Sequence, residues 1–291
     1  MASPHYKRLI VSRLLPDFLN RLVATRLSIG LSSGGIAIVM RKGAKNNNVH
    51  QQFIANTQQA DWQSLLQQLD AALNQLKLAS NTVCTVVLSS DFVRYLVLPA
   101  QPFAMNEAEK MAYIQAAYRD IYGAVADGWH IKCDDTAPEQ NRLAVAVDVQ
   151  LMAALSQLAV QYSFKLNSVQ PQLMAAFNGL VPQISRKSGY LVLLEQTKLL
   201  LMRLQNGHCQ QLRTLAFSTD WQVDLQQSIQ RESALNDANI TDDKPLFIYA
   251  PAHKNTTIKS IKGWNIQKVA LKNVSKMPLN NPHYAILEAV L

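Results

Sequence analysis

The sequence predicts an α/β protein made of two similar lobes, and two observations carry that prediction. Residues 142–180 contain a short apolar, β-branched run, an amphipathic helical pattern, a second strand pattern and a second helix. A strand-helix-strand succession of this kind implies parallel strands covered by helices. In addition, each half of the chain begins with three short strand patterns followed by a helix and a further strand. We therefore expect two lobes, each built on a mixed sheet with a hairpin meander.

The middle unit lies where a two-lobed chain would cross from one lobe to the other. Its first strand covers residues 143–147, and Asp148 follows where a side-chain oxygen can cap a helix. Apolar residues then recur at helical spacing as far as Tyr162. A second strand contains Leu166 and Val169, and Pro171 stands where a first helical turn tolerates proline. This second helix is expected to be the crossover.

The two halves on either side of this unit follow one plan. In the first half we expect strands at 26–31, 36–40 and 49–54, a helix at 61–78 capped by Asp61, strands at 83–88 and 92–98, and a helix at 107–122. In the second half we expect strands at 189–194, 198–204 and 209–214, a helix at 220–234 and a strand at 246–249. The predicted domains are an amphipathic segment at 1–25, a first lobe at 26–180 and a second lobe at 181–291.

Composition limits where the protein works. The chain has 291 residues, of which 48% are hydrophobic and 16% charged, and its apolar runs are too short to span a membrane. Its three cysteines, Cys84, Cys133 and Cys209, are widely spaced and odd in number, which suits reduced thiols. No signal-peptide pattern is evident. We expect a cytoplasmic protein that is soluble, or at most peripheral to a membrane.

The net charge of +8 is unevenly distributed. Residues 1–30 hold five cations against Asp17, and residues 251–280 hold six lysines and no acid. These segments are either solvated surface or a basic face for anionic lipid or an acidic partner. The N-terminal amphipathic pattern, broken by Pro16, could likewise pack on its own lobe or lie in a membrane interface. Nucleic acid is disfavoured, because aromatic residues are sparse at 7% and Trp264 alone stands among the lysines.

Motifs that could carry catalysis are weak. Residues 30–34 match G-x-S-x-G, but a short β-branched strand follows them, so the pattern indicates a hairpin and not a nucleophile elbow around Ser32. His130, Cys133, Asp134 and Asp135 lack the second ligand pair that a zinc site requires. Neither a P-loop nor a G-x-G-x-x-G motif occurs. We therefore expect no metal and no catalytic residue.

Over residues 26–291 the chain resembles the actin-like (ribonuclease H-like) family, and within it PilM, the cytoplasmic domain of GspL and MshI-type proteins of pilus and type II secretion assembly. The residues that carry this resemblance are 27–30, 97–99 with the helix led by Glu107, 142–180, 190–214 and 284–291. The resemblance implies two lobes around a nucleotide cleft. It also implies a scaffold that binds the cytoplasmic tail of a membrane-anchored assembly protein in a groove on the first lobe.

The nucleotide-binding members use acidic and glycine residues that this chain lacks. Ser28 replaces the acidic residue before Ile-Gly, Glu195 is not followed by glycine, and the loop after residues 246–249 begins at Ala250 without glycine. Backbone amides cradle phosphates only where no side chain intervenes. We therefore expect a degenerate cleft, no cofactor and no enzyme activity, with the cleft positions being Ser28, Gly30, Ser32, Ser33, Glu195, Thr197 and Ala250.

Two other functions stay open: an active ATPase in which Glu195 holds the metal through water, and a peripheral binder of anionic membranes. For the scaffold, we expect the partner site on residues 89–101 and the neighbouring helix. Aromatic and arginine side chains there have the composition of binding hot spots, or the aromatic ones complete the lobe's core. The candidate partner-binding residues are Phe92, Arg94, Tyr95, Tyr113, Tyr118 and Arg119. The sequence does not indicate the oligomeric state.

Overall fold

The computed structural model of the chain describes residues 25–43, 47–56, 61–101, 105–137, 139–184, 187–218, 220–236, 244–271 and 281–291. All structural statements below concern these residues. The predicted amphipathic segment at 1–25 lies outside the described residues, except for Thr25. Two of the six lysines in residues 251–280, Lys272 and Lys276, also lie outside them. The predictions made for those parts of the chain remain predictions.

Strands and helices alternate along the chain much as the sequence indicates. The strands are β1 (Arg26–Ser32), β2 (Gly35–Lys42), β3 (Asn47–Ala55), β4 (Val83–Leu88), β5 (Val93–Leu98), β6 (Trp129–Cys133), β7 (Arg142–Asp148), β8 (Lys165–Pro171), β9 (Gly189–Leu194), β10 (Lys198–Gln205), β11 (His208–Ala216), β12 (Lys244–Tyr249) and β13 (Trp264–Lys268). The α-helices are α1 (Trp62–Gln75), α2 (Glu107–Tyr122), α3 (Val149–Gln161), α4 (Gln172–Ile184) and α5 (Trp221–Asn236). A 3-10 helix at Pro282–Val290, here called the C-terminal helix, closes the described chain.

Two five-stranded sheets share one topology. The first has the order β3-β2-β1-β4-β8 and the second β11-β10-β9-β12-β13. In each sheet an antiparallel meander of three strands is extended by two parallel strands. A third, antiparallel sheet, β5-β7-β6, belongs to the first lobe. The predicted two-lobed α/β architecture with mixed sheets is thus confirmed.

Helices cover the sheets as the apolar patterns require. The Asp61 side chain caps α1 by accepting from the Ser64 amide, and Leu65, Leu69 and Leu73 are buried on the first sheet together with residues of α3. The apolar face of α4 packs on β9, β10 and β12 although α4 follows directly from β8. The predicted crossover helix therefore connects the two sheets. Its partner α5 covers the opposite face of the second sheet.

Several local expectations need correction. The strands β6 and β13 were not predicted, because both are short and half polar, as edge strands are. Pro171 ends β8 and lies outside α4, so proline limits the strand and does not open the helix. The hairpin expected around residues 30–34 is confirmed, since Ser32 pairs with Gly35. Ser32 is therefore not on a nucleophile elbow.

The C-terminal helix depends on a glycine in β1. A Cβ atom at Gly30 would lie 2.4 Å from Ile286 Cγ2 and 3.2 Å from Leu287 Cδ2. We expect Gly30→Ala to lower the free energy of unfolding by roughly 1–3 kcal/mol in chemical denaturation, because the C-terminal helix must shift. Gly128→Ala is the matched control, since a Cβ atom there meets nothing within 4 Å. Equal effects of the two substitutions would show that this packing does not matter.

Candidate functional site

Two equivalent hairpin turns meet in the cleft between the lobes. The turn between β1 and β2 belongs to the first sheet, and the turn between β9 and β10 belongs to the second. Ser32 Oγ donates to Gln196 Oε1 at 3.2 Å, and the hydroxyls of Ser33 and Thr197 are 3.4 Å apart. A Cβ atom at Gly34 would lie 2.4 Å from Gln196 Oε1, so a larger residue there would displace the end of the Gln196 side chain. The two lobes therefore touch directly at these turns.

A buried carboxyl group from the second lobe is held by the first. Glu195 is 3% exposed. The Ser90 amide donates to Glu195 Oε2 and the Ser90 hydroxyl donates to Glu195 Oε1, both at 2.9 Å. Both carboxyl oxygens are thus engaged by one residue of the opposite lobe, which satisfies the requirement that a buried charge be hydrogen-bonded.

An ion pair lies beside this contact. Lys198 Nζ is 3.1 Å from Asp91 Oδ1 and donates to the Ser90 carbonyl oxygen at 3.1 Å. Asp91 also accepts from the Ser33 amide and the Ser89 hydroxyl, each at 2.9 Å. We call Ser90, Asp91, Glu195 and Lys198 the interlobe latch. Its ion pair and the hydrogen bonds between Ser90 and Glu195 connect the chain after β4 with the turn before β10.

The two acids of the latch titrate differently. Burial raises the pKa of Glu195 to about 7, and the negative charge of Asp91 adds to this, while the hydrogen bonds from Ser90 and the charge of Lys198 act in the opposite direction. Burial also acts to raise the pKa of Asp91, but hydrogen bonds from Ser33 and Ser89, together with Lys198, lower it below its ordinary value. Asp91 is therefore the charged partner of Lys198.

The C-terminal helix narrows what remains of the cleft. A cavity of about 20 Å³ is lined by Asp91 and Glu195 of the latch, by Ser32, and by residues of this helix, namely Pro282, His283, Ala285 and Ile286. This volume holds about one water molecule, whereas small-molecule sites measure several hundred Å³. The helix is anchored by Arg41, which donates to the carbonyl oxygens of Val290 and Leu291, and by the 2.8 Å pair between Lys254 and Glu288.

The predicted cleft positions are partly brought together. Ser32, Ser33, Glu195 and Thr197 meet directly at the two turns, and Gly30 lies under the C-terminal helix. Ser28 is instead buried inside β1, and Ala250 packs at the edge of the second core. Sequence reasoning missed Ser90, Asp91 and Lys198. The available signal was the polar run Ser89-Ser90-Asp91 at the carboxyl end of a buried parallel strand, where ligand-facing groups usually lie.

A larger apolar groove lies in the first lobe between the three-stranded sheet and β8. Its volume is about 200 Å³. Side chains of β7 alternate, so that Leu143, Val145 and Val147 line the groove while Ala144 and Ala146 pack beneath α2. The groove is completed by Leu88, His130, Lys132, Cys133, Asp134, Met152, residues 167–171 and Met174.

Two open strand edges border this groove. Within the described residues β8 pairs with β4 alone and β6 pairs with β7 alone, so each leaves one row of backbone groups unpaired by a strand. Asp134 lies at the groove with a pKa that burial raises to about 6. An apolar cavity beside open strand edges is suited to an extended peptide that adds to a sheet.

The residues predicted to bind a partner do not form one surface. Tyr118 is 0% exposed and its hydroxyl donates to the Arg94 carbonyl oxygen, so its expected accessibility is corrected: the ring completes the core under α2. Tyr95 is half-buried between the cores of both lobes, and burial, with the charge of Glu195, raises its pKa well above the ordinary value. Phe92 is half-buried against the first core.

The remaining predicted residues are more accessible. Tyr113 lies on α2, is half-buried against the core beneath that helix, and accepts a hydrogen bond from Gln101 at 2.9 Å. Arg119 is exposed and forms a two-point ion pair with Asp127. Arg94 donates to the carbonyl oxygens of Asp91 and Val93. These three lie on the α2 side of the three-stranded sheet, opposite the face that lines the groove, since strand side chains alternate.

Metal chemistry and membrane spanning were also assessed for the described part of the chain. No group of three or more histidine, cysteine, aspartate or glutamate side chains is arranged there to hold a metal ion. No described helix is long and apolar enough to cross a membrane.

The fold is the actin-like fold. The structure is similar to the cytoplasmic domain of EpsL, an inner membrane component of the type II secretion system of Vibrio cholerae, with 12% identity, TM-score 0.55 and coverage of 92% of this chain and 94% of that one. It is also similar to the PilM-PilN type IV pilus biogenesis complex, with 11% identity, TM-score 0.60 and coverage of 92% and 97%.

A third similar structure is a protein of unknown function with an actin-like ATPase fold from Bacteroides thetaiotaomicron, at 11% identity and TM-score 0.53, covering 80% of this chain and 84% of that one. No protein-family model and no curated protein sequence matches the chain. At these identities the likeness establishes the fold, which is the actin-like fold expected from the resemblance.

The raised pKa of Glu195 predicts how stability depends on pH. The folded protein holds this proton more tightly than the unfolded chain, whose glutamate titrates near 4.5. The stabilisation is therefore present below about pH 4.5 and is lost as pH rises through about 7. Glutamine keeps both contacts with Ser90, so we expect Glu195→Gln to flatten the pH profile of unfolding and to raise stability near pH 8 by roughly 1–3 kcal/mol.

Denaturation at a series of pH values measures this effect. Glu139→Gln is the control, because Glu139 is an exposed glutamate outside the latch. A Glu195→Gln profile with the same slope as the parent protein would show that Glu195 titrates normally.

Proposed function

We propose that this protein is a non-catalytic actin-like adaptor on the cytoplasmic face of an inner-membrane pilus or type II secretion-like assembly, where it holds the cytoplasmic tail of a membrane-anchored partner. The observation that carries the non-catalytic part is the interlobe latch. Side chains of the two lobes bond to each other directly where the nucleotide of an actin-like ATPase would have to bridge them. The likeness to the EpsL domain and to the PilM-PilN complex supports the choice of assembly.

The alternative of an active ATPase requires Glu195 to hold a metal ion through water. Both carboxyl oxygens of Glu195 instead accept hydrogen bonds from Ser90, and burial favours its neutral form. Asp91 is paired with Lys198, whose positive charge would repel a cation. A metal at this site would have to break both pairs, which favours the adaptor.

We therefore expect no binding of Mg-ATP up to the millimolar range in calorimetry, because the cleft holds about one water molecule and bonded side chains fill the remainder. Lys198→Ala and Glu195→Ala, which open space in the latch, should leave this result unchanged. Micromolar binding by the parent protein that is lost in Glu195→Ala would instead support the ATPase.

The apolar groove is the best site for a partner's tail. We propose it in place of the surface first expected on residues 89–101 and α2, because most aromatic side chains of that surface pack in or against the hydrophobic cores. Leu143, Val145 and Val147 can receive apolar side chains of an extended segment, while the open edge of β8 can pair with its backbone. PilM is described in complex with PilN, and a partner of that kind would present such a tail here.

Filling the groove tests this assignment. Asn167 is exposed at the groove edge, so Asn167→Trp should fill the site without disturbing the core. We expect capture of the partner's cytoplasmic tail to weaken by at least tenfold, with the melting temperature nearly unchanged. The measurement is a pull-down of membrane proteins by the tagged chain, followed by titration of the identified tail.

Gln150→Trp is the matched control, because Gln150 is exposed on α3 and is not among the residues lining the groove. Equal tail affinity for Asn167→Trp and Gln150→Trp would place the binding site elsewhere.

A further inference from the structure

One end of the first sheet carries a cluster of exposed positive charges. The starts of β1, β4 and β8 align there, because Arg26 pairs with Val83 and Val83 pairs with Lys165. The end of β2 lies in the same row, since Arg26 also pairs with Arg41. The connection from α1 to β4 returns the chain to this end. The exposed cations found here are Arg26, Lys42, Lys77 and Lys165, which we call the basic end.

This clustering is not a consequence of the overall charge. Residues 25–184 contain eleven lysines and arginines and eleven aspartates and glutamates, so the lobe is neutral. The segments that form the basic end, residues 25–27, 41–43, 76–83 and 162–166, contain no acid. Arg41 is buried and bonded to the C-terminal helix. The described acid beside this end is Asp70 on α1, which accepts from Tyr162 and Gln161.

Exposed aliphatic side chains accompany these cations. Val160, in the last turn of α3, is 81% exposed, and Val49, beside the β2 end, is 49% exposed. Val160 has the highest exposure among the large hydrophobic residues of the described chain that are exposed. Lysines around exposed aliphatic residues form a surface suited to the interface of an anionic bilayer, where the charges meet headgroups and the apolar groups enter below them.

The chain outside the described residues joins the molecule at this same end. Residues 1–24 directly precede β1 and contain four lysines and arginines, one acid and a helical repeat of leucines. Stable peripheral binding requires two weak signals acting together, such as an amphipathic segment and a polybasic patch. The lysines of the basic end are one such signal, and the exposed Val160 beside them is an apolar one.

We propose that the basic end is a docking surface for anionic phospholipid and that it turns this end of the first lobe towards the membrane. The inference goes beyond the adaptor function and does not depend on the apolar groove. It assigns membrane contact to Lys42, Lys77, Lys165 and Val160, and not to the lysine-rich stretch after residue 251. In that stretch Lys254 is paired with Glu288, and Lys259 lies 3.5 Å from Asp220.

Vesicle flotation of the full chain tests the proposal. Vesicles of equal parts phosphatidylcholine and phosphatidylglycerol should bind the protein, and vesicles of phosphatidylcholine alone should not. Each lysine near an anionic surface contributes about fivefold in partitioning, so the triple variant Lys42→Gln, Lys77→Gln, Lys165→Gln should lose on the order of a hundredfold. The matched triple variant Lys187→Gln, Arg231→Gln, Lys262→Gln removes the same charge from exposed positions outside both the basic end and the groove, and should lose much less.

A second pair of variants tests the apolar contribution. Val160→Asp should weaken vesicle binding about fivefold, whereas Val223→Asp, at a 43% exposed valine on α5, should not. Equal losses from the two triple variants, or binding to neutral vesicles as strong as to anionic ones, would overturn the proposal. If the Lys42, Lys77, Lys165 triple variant lost binding to a soluble polyanion such as polyphosphate but bound vesicles like the parent protein, the surface would belong to another ligand. That result would also overturn the proposal.

Discussion

The contact of Glu195 and Lys198 with Ser90 and Asp91 is the constraint on which the arrangement of the lobes depends. An actin-like fold places two sheets face to face across a cleft, and something must hold them there. In this chain Glu195 and Lys198 of the second lobe bond directly to Ser90 and Asp91 of the first. Leaving one buried partner unpaired costs more than the pair contributes, so the latch residues must be understood as a set.

The latch is also connected to the proposed partner groove through a short stretch of chain. Ser90 and Asp91 lie between β4, which is central in the first sheet, and β5, which begins the three-stranded sheet. That second sheet forms one wall of the groove, and Tyr95 on β5 packs between the two cores. The position of the groove wall therefore depends on residues that also hold the lobes together. The basic end lies at the opposite ends of the β1 and β4 strands, so lobe contact and membrane contact occupy separate surfaces.

Local sequence signals predicted most of the fold. The caps Asp61 and Asp148 and the leucine stripe of α1 determine helices through contacts within a few residues, and the duplicated order of strands and helices predicted the two sheets. The edge strands β6 and β13 were missed because both are short and half polar, so they are stabilised by pairing with β7 and β12 and carry no clear pattern of their own. Tyr118 shows that site residues are equally hard to predict. A tyrosine is a common hot-spot residue, but this one is buried against β7, which the sequence around it does not reveal. The residues that line the groove are scattered between Leu88 and Met174, so no short sequence motif could have predicted it.

The most direct test of this account is a distance measurement across the cleft. Spin labels at the exposed positions Asn74 on α1 and Gln227 on α5, with Cys133 and Cys209 replaced by serine, report the separation of the lobes. If the latch holds the cleft closed, the distance distribution is narrow without nucleotide, does not change when Mg-ATP is added, and broadens when Lys198 is replaced by alanine. A broad distribution that becomes narrow when Mg-ATP is added would contradict the account and identify a working nucleotide site.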